Sequence, residues 1–268
     1  MDDENTNKIN KIKQFGFYSK GIVYALIGIL AAMVAAGLGG DLKGPTGLVS
    51  FLDNLPAGRI LVAIVALGLL AYSVWCFYAS IYDPNENGAY NRIRIRLVYA
   101  YSGVIYSLIA FSFGKAAFTT ANPSEGSSEK AALNELLAKE WGVWAIAIIA
   151  IAMAGNALWQ IYLAWCGEYM VLVDDDPKGK KELMLLKRSG KYGYLARGVV
   201  FAVLAFFMLK VYLNRNEEDY KGTGGAFAYL LNLEYGPFLM GTVAIGMIGY
   251  GIFCILVARH SNLTKLVQ

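Results

Sequence analysis

FGFYSKGIVY at residues 15–24 returns as LVYAYSGVIY at 97–106 and again as YGYLARGVVF at 192–201. Each copy opens an apolar stretch long enough to cross about 30 Å of hydrocarbon as a helix of roughly 20 residues. Aligned without a gap, the three copies superpose Gly21, Gly103 and Gly198. A second apolar segment follows each one. Those segments align on Gly58, Gly142 and Gly236, with Trp75, Trp159 and Phe253 each seventeen residues further on. The chain thus reads as one two-helix hairpin written three times, over 1–85, 86–170 and 191–268, with 171–190 as a cytoplasmic linker.

The resulting six spans lie near 16–38, 58–81, 97–119, 141–166, 191–213 and 236–258. Their apolar runs are continuous rather than alternating, which excludes a transmembrane β-barrel. A cleaved leader over Ile22–Ala36 is rejected because two later spans carry the same pattern. Composition agrees: 57% of the 268 residues are hydrophobic and 16% charged, whereas a soluble domain carries about a quarter charged residues. Three scattered cysteines, Cys76, Cys166 and Cys254, make no disulfide framework. The net charge of +4 is sorted between loops rather than pooled, so no nucleic-acid partner is expected.

That sorting sets an orientation. Sixteen basic residues fall on the side of the termini, among them Lys8, Lys11, Lys13, Arg92, Arg94, Lys180, Lys181 and Arg188, and eight on the other. Acidic residues divide equally, so the bias lies in the cations, as the positive-inside rule requires. The expectation is a multi-pass protein of the bacterial cytoplasmic (inner) membrane with both termini cytoplasmic.

Small residues then define packing faces. Gly21, Ala25, Gly28 and Ala32 form one stripe at helical spacing, and Gly103 and Gly198 begin equivalent stripes. Even spans carry Gly68, Gly155, Gly246 and Gly249 at corresponding places. Lipid supplies no hydrophobic drive between helices, so close backbone approach at small residues is what joins them. The fold expected is an all-α integral membrane protein, six transmembrane helices in three repeated hairpins, with pseudo-three-fold symmetry about the membrane normal.

The Gly-Tyr-x-Ala-Arg-Gly-Val-Val core at 193–200, its echo at 16–23 and the Gly-to-Trp even helices resemble the bacterial membrane family known as domain of unknown function 1206. The resemblance covers nearly the whole chain and implies repeated two-helix units; it carries no established activity. The middle copy departs from the pattern, with Ser102 where the others have Lys20 and Arg197.

Candidate chemistry is sparse. No Asp or Glu stands in the middle of a span, so a carboxylate-coupled pump is disfavoured. The single histidine, His260, lies at a helix end, and no cluster has metal-ligand spacing, so neither metal nor cofactor is expected. Lys20 and Arg197 are the first ligand- or lipid-binding candidates. Snorkelling to lipid phosphates is the favoured reading for them, against a pair facing a central cavity that holds an anionic group. Arg96 is expected to stand in for the cation that the middle copy lacks. Tyr24 and Tyr106, aligned with Phe201, suggest an aromatic layer, and Asn156 and Gln160 either line a path or bond between helices.

Two functions follow. The first is a non-catalytic structural or accessory subunit that binds membrane lipids, and other membrane proteins or itself. The alternative is a channel or uncoupled carrier along the pseudo-three-fold axis.

Overall fold

The computed structural model describes residues 3–38, 58–82, 89–118, 127–173 and 179–260. Within them the chain is helical, with no strand: α1 (Asp3–Ala35), α2 (Gly58–Tyr82), α3 (Ala89–Phe118), α4 (Ser127–Leu137), α5 (Glu140–Cys166), α6 (Lys180–Asn214), α7 (Gly222–Leu231) and α8 (Gly236–Arg259). Six of these, α1, α2, α3, α5, α6 and α8, are long and apolar enough to span a membrane. Their outward faces stay apolar. On α5 the exposed Trp144 and Trp165 stand about 32 Å apart along the axis, which matches a hydrocarbon layer flanked by aromatic belts.

The stretch 171–190, expected as a linker, divides. Glu168–Leu172 forms a 3-10 turn, and Lys180 to Gly190 are the opening turns of α6. Lys180 to Gly190 is not a separate surface segment. Leu186 is fully buried, and Gly190 packs on Tyr169 and Phe253, so tertiary contacts carry the helix onward. Short helices, α4 and α7, precede the second and third even spans, and the sequence segments 48–55, 130–139 and 225–233 recur at that place in each repeat. The segment 48–55 falls outside the described residues. The aligned glycines Gly142 and Gly236 now have a physical reason, since a β-carbon on either would run into the carbonyl of Leu136 or Leu231 at the end of the preceding short helix.

The odd-span stripes pack on the even helix of the neighbouring repeat, and they do so at equivalent positions. A β-carbon on Gly21 would stand 2.8 Å from the Gly251 carbonyl oxygen and from Ile255. One on Gly198 would stand 2.8 Å from Ile161 and 3.3 Å from the Ala157 carbonyl oxygen. Gly103 faces the ring of Phe77, and its carbonyl accepts from Ser73 Oγ at 2.8 Å. Gly28 repeats the contact further along α1, against Ala244 and Ile248 of the antiparallel α8. The ends of α1 and α8 that carry the two termini therefore lie together.

Contacts within the hairpins are not equivalent. In the first, Gly16 rests on Tyr72 and Gly68 on Ser19; in the third, Gly193 rests on Tyr250 and Gly246 on Ala196. The middle hairpin does not close in this way: α3 and α5 have no such packing. Its counterparts are Val98 for Gly16 and Gly193, and Tyr101 for Ser19 and Ala196. Both side chains are too large to let the backbones meet. Gly155, expected as a packing residue, is consequently exposed, and a β-carbon there would meet nothing within 4 Å. The expected three-fold equivalence thus fails at this one seam. Gly249 does pack, in ordinary contact 3.5 Å from the Ser189 carbonyl.

Candidate functional site

The contacts of the glycines that follow them fix where Lys20 and Arg197 point. Because Gly21 and Gly198 are pressed against neighbouring helices, the preceding side chains turn into the bundle rather than toward lipid. Lys20 is 4% exposed and Arg197 9% exposed. The snorkelling reading is therefore corrected: neither cation reaches the lipid phosphate level through the outer face.

Aromatic rings surround both charges. The Lys20 ammonium donates to the Tyr72 hydroxyl at 2.8 Å and lies 4.1 Å from the Tyr72 ring centre and 4.7 Å from that of Tyr106. The Arg197 guanidinium lies 4.4 Å from the Tyr250 ring and 5.2 Å from that of Tyr24. Lys20 also approaches Tyr250, at 5.4 Å, so a single ring serves both cations. The hydroxyls of Tyr24 and Tyr106 are hydrogen-bonded at 3.0 Å. Ring-to-ring contacts at 4.8 Å, between Tyr24 and Tyr250 and between Tyr72 and Tyr106, close the centre with packed side chains. Each cation–ring contact is worth roughly 0.5–2 kcal/mol, against several kcal/mol for taking a charge out of water.

What the cluster lacks is a counter-charge. Among the described residues the buried polar side chains are Asn10, Lys13, Ser19, Lys20, Ser73, Gln160, Ser189 and Arg197, with no carboxylate. Two atoms at the site have no hydrogen-bond partner, Arg197 Nε and Gln160 Oε1. Arg197 and Gln160 flank one contact, that of Gly198 with Ala157 and Ile161. Tyr250, beneath both cations, lies about 14 Å along α8 from its end at Arg259, so the charges are deep in the spanning region.

The structure brings together Lys20, Arg197, Tyr24 and Tyr106, and buries Gln160 next in the chain to Ile161, which Gly198 contacts. Asn156 stands apart, half-buried at the open seam and without a hydrogen bond among the described residues. Arg96 does not replace the missing cation. It donates to the carbonyls of Ser80, at 2.6 Å, and Ile81, and so caps the end of α2.

Sequence reasoning missed Tyr72, Tyr194 and Tyr250 as partners of the cations, and Lys13, which is buried with its ammonium 4.8 Å from the Trp75 ring. A signal was present for the rings: Phe17, Tyr99 and Tyr194 each stand four residues before an aligned glycine, and Tyr72 and Tyr250 share one repeat position with Asn156. On the terminal side Tyr169 covers the cluster. It stacks on Tyr194 at 5.5 Å and donates to the Lys187 carbonyl at 2.7 Å, and burial raises its phenol above the ordinary value.

The chain belongs to the family described as Domain of Unknown Function (DUF1206), whose pattern matches it three times, at 15–83, 97–167 and 192–261. The chain is also similar to an uncharacterized protein of Bacillus subtilis (strain 168), YxxB, at 26% identity over 257 residues, 96% of this chain and 92% of that protein. No solved structure matches the chain.

Proposed function

We propose that this member of the DUF1206 family is a non-catalytic accessory protein of the bacterial cytoplasmic membrane, with both termini cytoplasmic, whose helical core holds an anionic group of a lipid or of a lipid-bearing partner. The observation that carries this reading is the pair Lys20 and Arg197, buried among tyrosines with no carboxylate beside them and with Arg197 Nε unbonded. Intramembrane cations are costly, and they are kept where they meet a ligand or a counter-ion. The described core contributes phenols, serine hydroxyls, thiols, two amides and cations, a set that binds and orients rather than one that relays protons between an acid and a base.

The test is anionic-lipid retention. Protein extracted in neutral detergent is expected to keep phosphatidylglycerol through purification, and the double variant Lys20→Ala with Arg197→Ala to lose it while remaining folded. Equal retention by the double variant would overturn the reading.

The channel reading has one observation in its favour, the equivalent contacts that arrange the repeats around a shared centre. Against it stand the rings of Tyr72, Tyr106 and Tyr250 packed across that centre. Liposomes carrying the protein are expected to pass chloride, potassium and small solutes no faster than empty ones.

A further inference from the structure

The geometry points to the seam between α3 and α5 as the place where the acyl chain of an anionic amphiphile enters the bundle from the lipid and brings its head to Arg197. This deepens the anionic-site reading and rests on it. Three observations meet here. Among the described residues no helix packs across the seam: Val98, Tyr101, Ala152 and Gly155 are exposed, and Asn156 has no hydrogen bond. In the other two hairpins the same positions are filled by direct helix contact, so this opening is particular to the middle copy. The seam also leads to the site, because Asn156 stands one helical turn before the buried Gln160 on α5, whose neighbours Ala157 and Ile161 meet Gly198 next to Arg197.

Charge complementarity selects the occupant. A second helix of apolar side chains would cover Gly155 but leave the donors Arg197 Nε and the Asn156 amide unbonded, at a cost that rises in hydrocarbon. An ionised carboxylate or phosphate head accepts from Arg197 and from the Asn156 amide. The acyl chain then lies along the small surface of Ala152 and Gly155, where close approach is free of side chains. A water-soluble anion would meet the cations but leave the seam uncovered.

The experiment is equilibrium binding of radiolabelled oleate to the full chain in phosphatidylcholine nanodiscs, with oleyl alcohol and acetate as competitors. Oleate is expected to bind saturably, and each competitor to displace it at least about tenfold less well. Gly155→Trp, placed where a β-carbon meets no atom, is expected to weaken oleate about tenfold with an unchanged melting temperature. Arg197→Gln is expected to do the same, and should that variant fail to fold, Gly155→Trp decides alone. Oleate affinity unchanged in Gly155→Trp, or acetate competing as well as oleate, would overturn the seam while leaving an anion site standing. Absent oleate binding would also overturn it, and phosphatidylglycerol retention that still depends on Lys20 and Arg197 would show that the anionic-site reading survives. Disulfide-linked dimers of Gly155→Cys in native membranes would put a second copy on the seam and overturn the proposal.

Discussion

Gly193 lies so close to Tyr250 that a β-carbon on it would stand 2.6 Å from the tyrosine Cα, and Gly16 stands in the same relation to Tyr72. Each contact presents its tyrosine ring to a buried cation. The third position of this set holds Val98 opposite Asn156, and there the contact, the ring and the cation are all absent.

Glycine substitutions should separate packing positions from open ones. Gly193→Ala is expected to lose about 1–3 kcal/mol, as an overpacked contact against backbone does. Gly155→Ala should be neutral or up to about 1 kcal/mol more stable, because it adds helix propensity and meets nothing. Thermal unfolding in detergent measures both, and equal melting temperatures would contradict the assignment. In the same assay Gly198→Leu should be far more damaging than Leu195→Ala.

Removing the cation and removing its partner should have opposite signs. Tyr72→Phe deletes the acceptor of the Lys20 ammonium and is expected to cost about 1–3 kcal/mol. Lys20→Met replaces an uncompensated buried charge by an apolar chain of similar length, and should be neutral or stabilising by about 1–4 kcal/mol. A large loss on Lys20→Met would mean that the cation–ring contacts hold the bundle together, making the residue structural.

Restoring the repeat pattern should close the seam. In Val98→Gly with Tyr101→Ala, α3 and α5 regain the small residues that let the other hairpins meet. Spin labels at Val104 and Ile151, both exposed, are expected to move closer as the helices approach a packed spacing of about 8–10 Å. An unchanged label distance would show that something other than these two side chains keeps the helices apart.

Orientation is open to a direct check. A reporter fused after Gln268 and active only in the cytoplasm is the expected outcome of the sixteen-to-eight bias in basic residues. Activity only on the outer side would reverse the topology.

The repeats, the six spans and the glycine stripes were legible in the sequence, because helix length and small-residue spacing are local properties that lipid reads directly. The failure of the middle hairpin was also written there, in Val98 and Tyr101, but their size matters only once Gly16 and Gly193 are known to rest on Tyr72 and Tyr250. The direction of Lys20 and Arg197 was not legible. A cation one residue from a packing glycine faces lipid or core according to how the neighbouring helix is rotated, and that rotation is set by contacts between Gly21 and Gly251 and between Gly198 and Ile161. Local sequence therefore determined which segments are helices long and apolar enough to cross and most of the faces that touch, Gly155 being the face that does not. Tertiary packing alone decided that two charges would be enclosed by tyrosines from several helices, since those rings come together only when the repeats close on one another.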